Sequence, residues 1–341
     1  MNNKTLAILA FVSIALIAAA VVTNQQPSNG QQTKVDNYLF PALSADIEAA
    51  SRLEMYRSAS DQPALSFSKQ GDQWIVDSIG YPMNFEMIRS LLRTLSQAKL
   101  NEKMTANSEH YHRLGLRDVS DPESIARVLR ISDQAGNSLG GLVMGRTIAR
   151  GGSANTYVRR EGEVQTWLIG GVVEMTPEPE KWLDKVISDI PASAIKQVEI
   201  VNADGDYLRV SKESSEQAIF TIDGLPDAAE LIYPGVANGV AEALNDFNLE
   251  NVQTAESFTF TEGSTVRSEY QLFNGIAISV RSERRDIDYY AQLLVEYHDS
   301  DSAVAEQANR LQARVNGWVY KILPHKYKML SKRMADLLVA P

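Results

Sequence analysis

The chain repeats itself, and that repeat constrains its fold more than any other feature. Leu65–Ile79 reads LSFSKQGDQWIVDSI and Leu208–Ile222 reads LRVSKESSEQAIFTI. Each is an alternating strand ending in Ser-Lys, a polar turn, and a second strand carrying an aromatic residue, Trp74 or Phe220. Alternation interrupted by polar turn residues is the pattern of a half-buried β-hairpin. A helical pattern follows each hairpin. In NFEMIRSLLRTLSQAKL, Asn84 is placed to cap a helix whose apolar face carries Phe85, Ile88, Leu91, Leu92 and Leu95. In PGVANGVAEALNDFNL the same spacing joins Val236, Val240, Leu244 and Phe247. The two align without a gap: Leu91 falls on Val240, Leu95 on Leu244 and Leu100 on Leu249. Both then run into a Thr-Ala pair, Thr105-Ala106 and Thr254-Ala255.

Further strands come next. RVLRISDQAGNSLGGLVMG predicts a hairpin around Gly136-Asn137, and YQLFNGIAISVRS predicts one around Asn274-Gly275. One more strand follows each, TYVRREGEVQTWLI and DYYAQLLVEYH. Each unit is then expected to close with a short helical stretch, WLDKVI (Trp182–Ile187) or WVYKIL (Trp318–Leu323). The expected class is α+β: two tandem repeats of a mostly antiparallel sheet packed with helices, following an N-terminal transmembrane helix. Such sheets bury one face and leave the other wet. The repeats are expected over residues 38–190 and 191–341, meeting near Ile190-Pro191.

The N-terminus predicts location. Leu6–Val22 is apolar except for Ser13, and no charge appears between Lys4 and Lys34. As a helix it would span roughly 25 Å at 1.5 Å per residue, near the lower limit for crossing a bilayer. In one reading residues 1–23 are an uncleaved anchor with the Lys4 end in the cytoplasm. In the other they are a signal peptide cleaved near Ala18-Ala19-Ala20. Both readings export the rest of the chain, and residues 24–37 form a polar linker. A single-pass inner-membrane protein with its bulk in the periplasm is expected. The net charge of -10 argues against a nucleic-acid partner. With no cysteine, disulfides, thiolate zinc sites and lipidated cysteines are excluded.

Few residues suggest chemistry. His110 and His112 in HYHRLGL stand two apart, which is chelating spacing only on a strand. Here Arg113, Leu114 and Gly115 predict a helical turn stopped by glycine, which points the two rings apart. His298 and His325 are distant in sequence, and no metal is expected. MGRTIARGGSANTYVRR lacks the phosphate-loop spacing and is expected to be a loop between strands. Arg146, Arg150, Arg159 and Arg160 gather around it. The second unit has Arg281, Arg284 and Arg285, with the Arg146–Arg150 interval repeated in Arg281–Arg285. Guanidinium groups on corresponding loops suit a carboxylate or phosphate, or else a solvated rim paired to Asp286 and Asp288. NADGDYL (Asn202–Leu208) is read as a hairpin turn rather than a calcium loop. Ser-x-x-Lys recurs at Ser66, Ser96 and Ser193 without the companion motifs of penicillin-recognising enzymes. No catalytic residue and no cofactor is predicted. HKYKMLSKRMADLLVAP is expected to be an amphipathic helix with Tyr327, Leu330, Met334 and Leu337 on its apolar side and Lys326, Lys328, Lys332 and Arg333 elsewhere. Such a helix caps the last domain or touches an anionic membrane surface.

Taken in order, FPALSADIEAASRLEMY, KQGDQWIV, YPMNFEMIRSLLRTLSQAKL, HYHRLGL, LVMG…ANTYVRR and WLDKVISDIPASAIKQVEI resemble the domain of unknown function 4340 family, from about residue 38 to the C-terminus. In that pattern Trp74, Leu114-Gly115, Gly145 and Tyr157 stand at recurrent structural positions. The resemblance implies a bacterial envelope protein associated with gliding-motility-type ABC transporter components, and it brings no catalytic residues. The expected function is therefore a non-enzymatic, membrane-anchored accessory component of an ABC-type transporter or envelope complex. The alternatives are a module binding an anionic envelope polymer or peptide through the paired arginines, and a hydrolase with an unrecognised site.

Overall fold

The computed structural model describes residues 37–57, 60, 62–170, 176–297 and 301–339. The Leu6–Val22 segment, most of the linker and His298 lie outside the described residues. In chain order the elements are α1 (Pro41–Ala45), β1 (Arg52–Arg57), β2 (Leu65–Gln70), β3 (Gln73–Val76), β4 (Tyr81–Pro82), α2 (Phe85–Gln97), β5 (Glu102–Lys103), α3 (Tyr111–Leu114), β6 (Arg127–Ser132), β7 (Ser138–Arg150), β8 (Ser153–Arg160), β9 (Thr166–Gly170), β10 (Val186–Ser188), β11 (Ile195–Val201), β12 (Tyr207–Ser211), β13 (Thr221–Ile222), α4 (Asn238–Ala241), β14 (Phe247–Thr254), β15 (Thr265–Leu272), β16 (Ile276–Arg285), β17 (Asp288–Tyr297), α5 (Ser302–Val315), β18 (Trp318–Ile322) and α6 (Pro324–Leu330). The class is α+β, dominated by two large antiparallel sheets with few helices. Among the described residues no helix is long and apolar enough to cross a membrane.

The chain divides into two compact units. Among the described residues, unit one holds those up to residue 64 and those over 90–170; unit two holds those over 65–89 and those from 176 on. In unit one, six strands are bonded in the order β1-β6-β7-β8-β9-β5. In unit two, one sheet runs β10-β14-β18-β17-β16-β15-β11-β12-β13. Within that sheet, β11-β15-β16-β17-β18-β14 reproduces the order found in unit one, strand for strand. The hairpins β2-β3 and β12-β13 correspond as well, each preceding its helical segment. In both units the strand that follows the helix sits at the far side, beyond strands made later in the chain.

The hairpin turns follow their residues. Gly136 (φ 85°) and Gly275 (φ 87°) supply the left-handed conformation at the two expected turns. NADGDYL turns β11 into β12 with Gly205 at φ 87°. In α2, the Asn84 Oδ1 accepts the Met87 N–H at 3.0 Å, as a cap does. Ile88, Leu91, Leu92 and Leu95 are buried, but Phe85 is 59% exposed, with the Arg89 guanidinium 6.0 Å from its ring. The first helical turn faces outward, so helical spacing alone overextended the apolar face.

Four expectations are corrected. The second helix is only α4 and a 3-10 turn over Glu242–Leu244. Asp246 then takes φ 44°, and Phe247 opens β14 instead of ending a helix. WVYKIL is the strand β18, paired with β14 and β17, while Trp182 ends a 3-10 turn. Six residues are too few for periodicity to separate helix from strand. The glycine-rich stretch is not a loop. β7 runs through Arg150, and Gly151-Gly152 (φ 62° and 80°) make a two-residue turn into β8. The C-terminal helix stops at Leu330, where the Ser331 hydroxyl donates back to the Tyr327 carbonyl at 2.8 Å, and Met334–Leu337 form a separate 3-10 turn. Lys326, expected on the polar side, is 6% exposed and donates to the Glu242 and Asn245 carbonyls. Burial holds its ammonium below the usual lysine range.

One glycine is required by packing. A Cβ on Gly145 would lie 2.3 Å from the Leu114 carbonyl oxygen and 3.0 Å from the Gly115 carbonyl. The α3 exit therefore rests on the β7 backbone. Gly170 has only the Asn155 Oδ1 near its Cβ position, at 3.9 Å. Gly145→Ala is expected to lower stability by about 1–3 kcal/mol, the usual cost of overpacking. Gly170→Ala is expected to stay within about 0.5 kcal/mol. Urea midpoints of the two variants check this pair.

Candidate functional site

In each unit a chain segment crosses the sheet to return from its far strand, and arginines from the sheet hold an aromatic of that segment. In unit one the segment is HYHRLGL. Asn107 caps its first turn, and Gly115 ends α3 in the left-handed conformation at φ 72°. His110 and His112 are exposed, and His112 Nδ1 lies 2.7 Å from the Glu109 carbonyl. Tyr111 is buried with Leu116, Ala126, Val128 and Val143, and Leu114 and Tyr157 pack against them. Its hydroxyl donates to the Val164 carbonyl at 2.5 Å. Arg159, buried on β8, lies 5.1 Å over the Tyr111 ring and binds Asp118 at 2.8 Å.

In unit two the crossing segment carries Phe258 and Phe260, packed edge to face at 4.8 Å. Arg285 lies 3.8 Å over Phe258, and Arg281 lies 4.7 Å over Phe260. Tyr290 on β17 meets Phe258 at 4.8 Å. Beneath them Glu283 is 2% exposed. It accepts from Arg285 Nε at 3.1 Å, the Thr261 N–H at 2.9 Å and the Ser264 hydroxyl at 3.2 Å. Burial opposes its ionisation, but these hydrogen bonds outweigh burial and hold the carboxyl below the usual glutamate range.

The seven arginines singled out by sequence thus stand on strands, not loops, and they divide by task. Arg159, Arg160 and Arg285 are turned inward. Arg160 donates to the Leu39 and Tyr38 carbonyls at 2.9 and 2.5 Å. Arg150 ends β7 and binds Glu102 at 2.5 Å. Arg284 donates to the Asp286 carbonyl at 2.9 Å. Arg146 and Arg281 are exposed and make no ion pair among the described residues; the Arg146 stem passes over Gly115. Asp288 pairs with Lys321 at 2.8 Å rather than with an arginine. The repeated interval has a structural counterpart: Arg150 and Arg285 each stand last in their strand, before the two-residue turns Gly151-Gly152 and Asp286-Ile287.

Sequence reasoning missed the groove beside the second cluster. It is an open cavity of about 190 Å³ lined by Asn251, Val252, Gln253, Tyr290, Val319 and Lys321. These residues meet through strand register, with Tyr290 opposite Lys321 and Lys321 opposite Asn251. No motif marks them, because the lining comes from three strands that are not consecutive in the chain. Among the described residues no cluster of three histidines or carboxylates suits a metal ion.

Arg159→Ala is expected to cost about 2 kcal/mol, the loss of buried charge-assisted hydrogen bonds, while Arg146→Ala stays within about 0.5 kcal/mol. Glu283→Gln is expected to cost about 2 kcal/mol at neutral pH. Its folded-state pKa is lowered, so the carboxylate's contribution is complete above the ordinary glutamate value of about 4.3. It is lost as pH falls through the lower folded value. Denaturation of wild type and Glu283→Gln should therefore converge in acid and diverge above about pH 5.

A family model described as Domain of unknown function (DUF4340) matches residues 74–273, more than half of the chain. No curated protein and no solved structure matches.

Proposed function

The chain belongs to the DUF4340 family, and from that premise we propose that it is a membrane-anchored envelope protein without catalytic activity, serving as an accessory component of an ABC-type transporter or envelope complex. The observation that carries this reading is the charge-free Leu6–Val22 run. It is long enough to hold a chain at a bilayer, and it precedes two sheets of matched strand order. That match also supports the tandem-repeat reading of residues 38–190 and 191–341. Retained at the inner membrane, the body of the chain stands in the periplasm beside membrane complexes, where two rigid sheets with solvated faces serve as contact surfaces.

A second reading is favoured by Arg146 and Arg281. Both are exposed and, among the described residues, make no ion pair, which suits them to an anionic envelope polymer or peptide. Replacing both with Ala should abolish binding to such a polymer, and unchanged binding would remove this reading.

In-cell crosslinking, affinity purification and mass spectrometry test the main proposal. Transporter subunits in the crosslinked material, together with a mature N-terminus that retains Leu6–Val22, are the expected result. Recovery as a lone soluble monomer would count decisively against it.

A further inference from the structure

We propose that the groove of unit two is a binding subsite for a neutral, hydroxyl-rich ring, such as one sugar residue of a glycan. The proposal is independent of the transporter reading and assigns no role to the arginines.

The first observation is hydrogen-bonding capacity left over. Asn251 Oδ1 accepts the Val252 N–H at 2.8 Å, and Gln253 Oε1 accepts the Ser257 hydroxyl at 3.5 Å. Each amide has one end held by its own chain. The Asn251 and Gln253 NH2 groups make no hydrogen bond among the described residues. Two amide donors therefore face the groove from one strand, β14. Opposite Asn251 stands Lys321, and bonded to it stands Asp288 at 2.8 Å.

The second observation is charge. The ammonium of Lys321 is already matched by Asp288, and Glu250 acts on it as well. An incoming phosphate or carboxylate would meet that carboxylate pair instead of a free cation. An incoming cation would meet the ammonium and the amide donors. A hydroxyl is the group that both donates and accepts. It takes hydrogen bonds from the amides and the ammonium while giving one to Asp288.

The third observation is shape. At about 190 Å³ the groove is smaller than the roughly 300–1,000 Å³ typical of drug-sized ligands, so it takes a single ring. Val319, registered with Gln253, gives it an apolar floor, and the Tyr290 ring forms a wall fixed by Phe258. A saturated ring with polar edges and C–H faces matches both surfaces.

The two units also differ at this place. Three residues before Thr105 stands Glu102, which binds the hairpin-end Arg150. Three residues before Thr254 stands Asn251, and the hairpin-end Arg285 is turned onto Phe258 and Glu283 instead. In unit two the ion pair at this place joins Lys321 to Asp288 and leaves Asn251 outside it.

The test is ligand-observed saturation-transfer NMR on the full-length chain in a sugar-free detergent. Methyl glucoside and N-acetylglucosamine serve as probes, with inorganic phosphate added as a charged competitor. Transfer to the ring protons at millimolar probe is expected. Asn251→Ala with Gln253→Ala should weaken it at least tenfold, whereas Arg281→Ala should leave it unchanged. Both amides are on the rim of the groove, so a circular dichroism spectrum matching wild type confirms that the double variant folds. Absence of transfer in the wild type would overturn the proposal. So would displacement of both sugars by phosphate at equal concentration, or sugar binding unaffected by the double variant.

Discussion

The structure depends on one backbone problem: a strand made early must reach the far side of its sheet. β5 pairs beyond β9, and β14 pairs beyond β18, although β6–β9 and β15–β18 come later in the chain. The chain must then cross the sheet to begin β6 or β15. A crossing segment carries polar backbone over an already bonded sheet, so its N–H and C=O groups need local partners. In unit one the short helix α3 supplies them, with Leu116 N–H returning to the Tyr111 carbonyl at 2.9 Å. Its exit is admitted only because β7 has no side chain at Gly145. In unit two the segment has only a 3-10 turn at Ala255–Ser257 and a turn closed by Ser264 N–H on the Thr261 carbonyl, and its aromatics also hold it down.

The same constraint explains the arginines. A crossing segment gains little by hydrogen bonding alone, since each bond replaces one to water. Burying an aromatic ring stabilises it more, and a guanidinium stacked on that ring adds a contact that keeps its own N–H groups free for carbonyls and carboxylates. Tyr111 under Arg159, Phe258 under Arg285 and Phe260 under Arg281 are three instances of this arrangement. Arg159 and Arg285 thus act first as clamps on the fold.

What was legible in the sequence follows from how local each signal is. The β2-β3, β6-β7, β11-β12 and β15-β16 hairpins, the Asn84 cap and the Gly115 stop each rest on a few adjacent residues, and all of them appear in the structure. Helical spacing was a weaker guide. In PGVANGVAEALNDFNL every residue of the expected apolar face is buried, yet Phe247 reaches the core from a strand. Burial was right and conformation was wrong, because Asp246 reverses the chain first. The arginines were legible as a repeated interval, but whether each turns inward depends on partners such as Asp118, Glu102 and Glu283. The groove was invisible, because its residues are joined only by register.

Matched strand order with unmatched surfaces gives the two sheets different freedom. The elements that hold the topology recur: the hairpin, the buried residues ahead of the returning strand, the Thr-Ala exit and the hairpin-end arginine. The residues between them need not recur, since a side chain on the wet face of an antiparallel sheet contributes little to the core. Glu102 and Asn251 are such residues. A carboxylate at that place draws Arg150 to itself. An amide does not compete with Glu283, which is already ionised and bonded beneath the aromatics, so Arg285 stays with Glu283 and Phe258. One change from carboxylate to amide therefore accompanies the difference between a hairpin-end arginine paired to Glu102 and one turned onto Phe258 and Glu283, with no change in the strands that carry either.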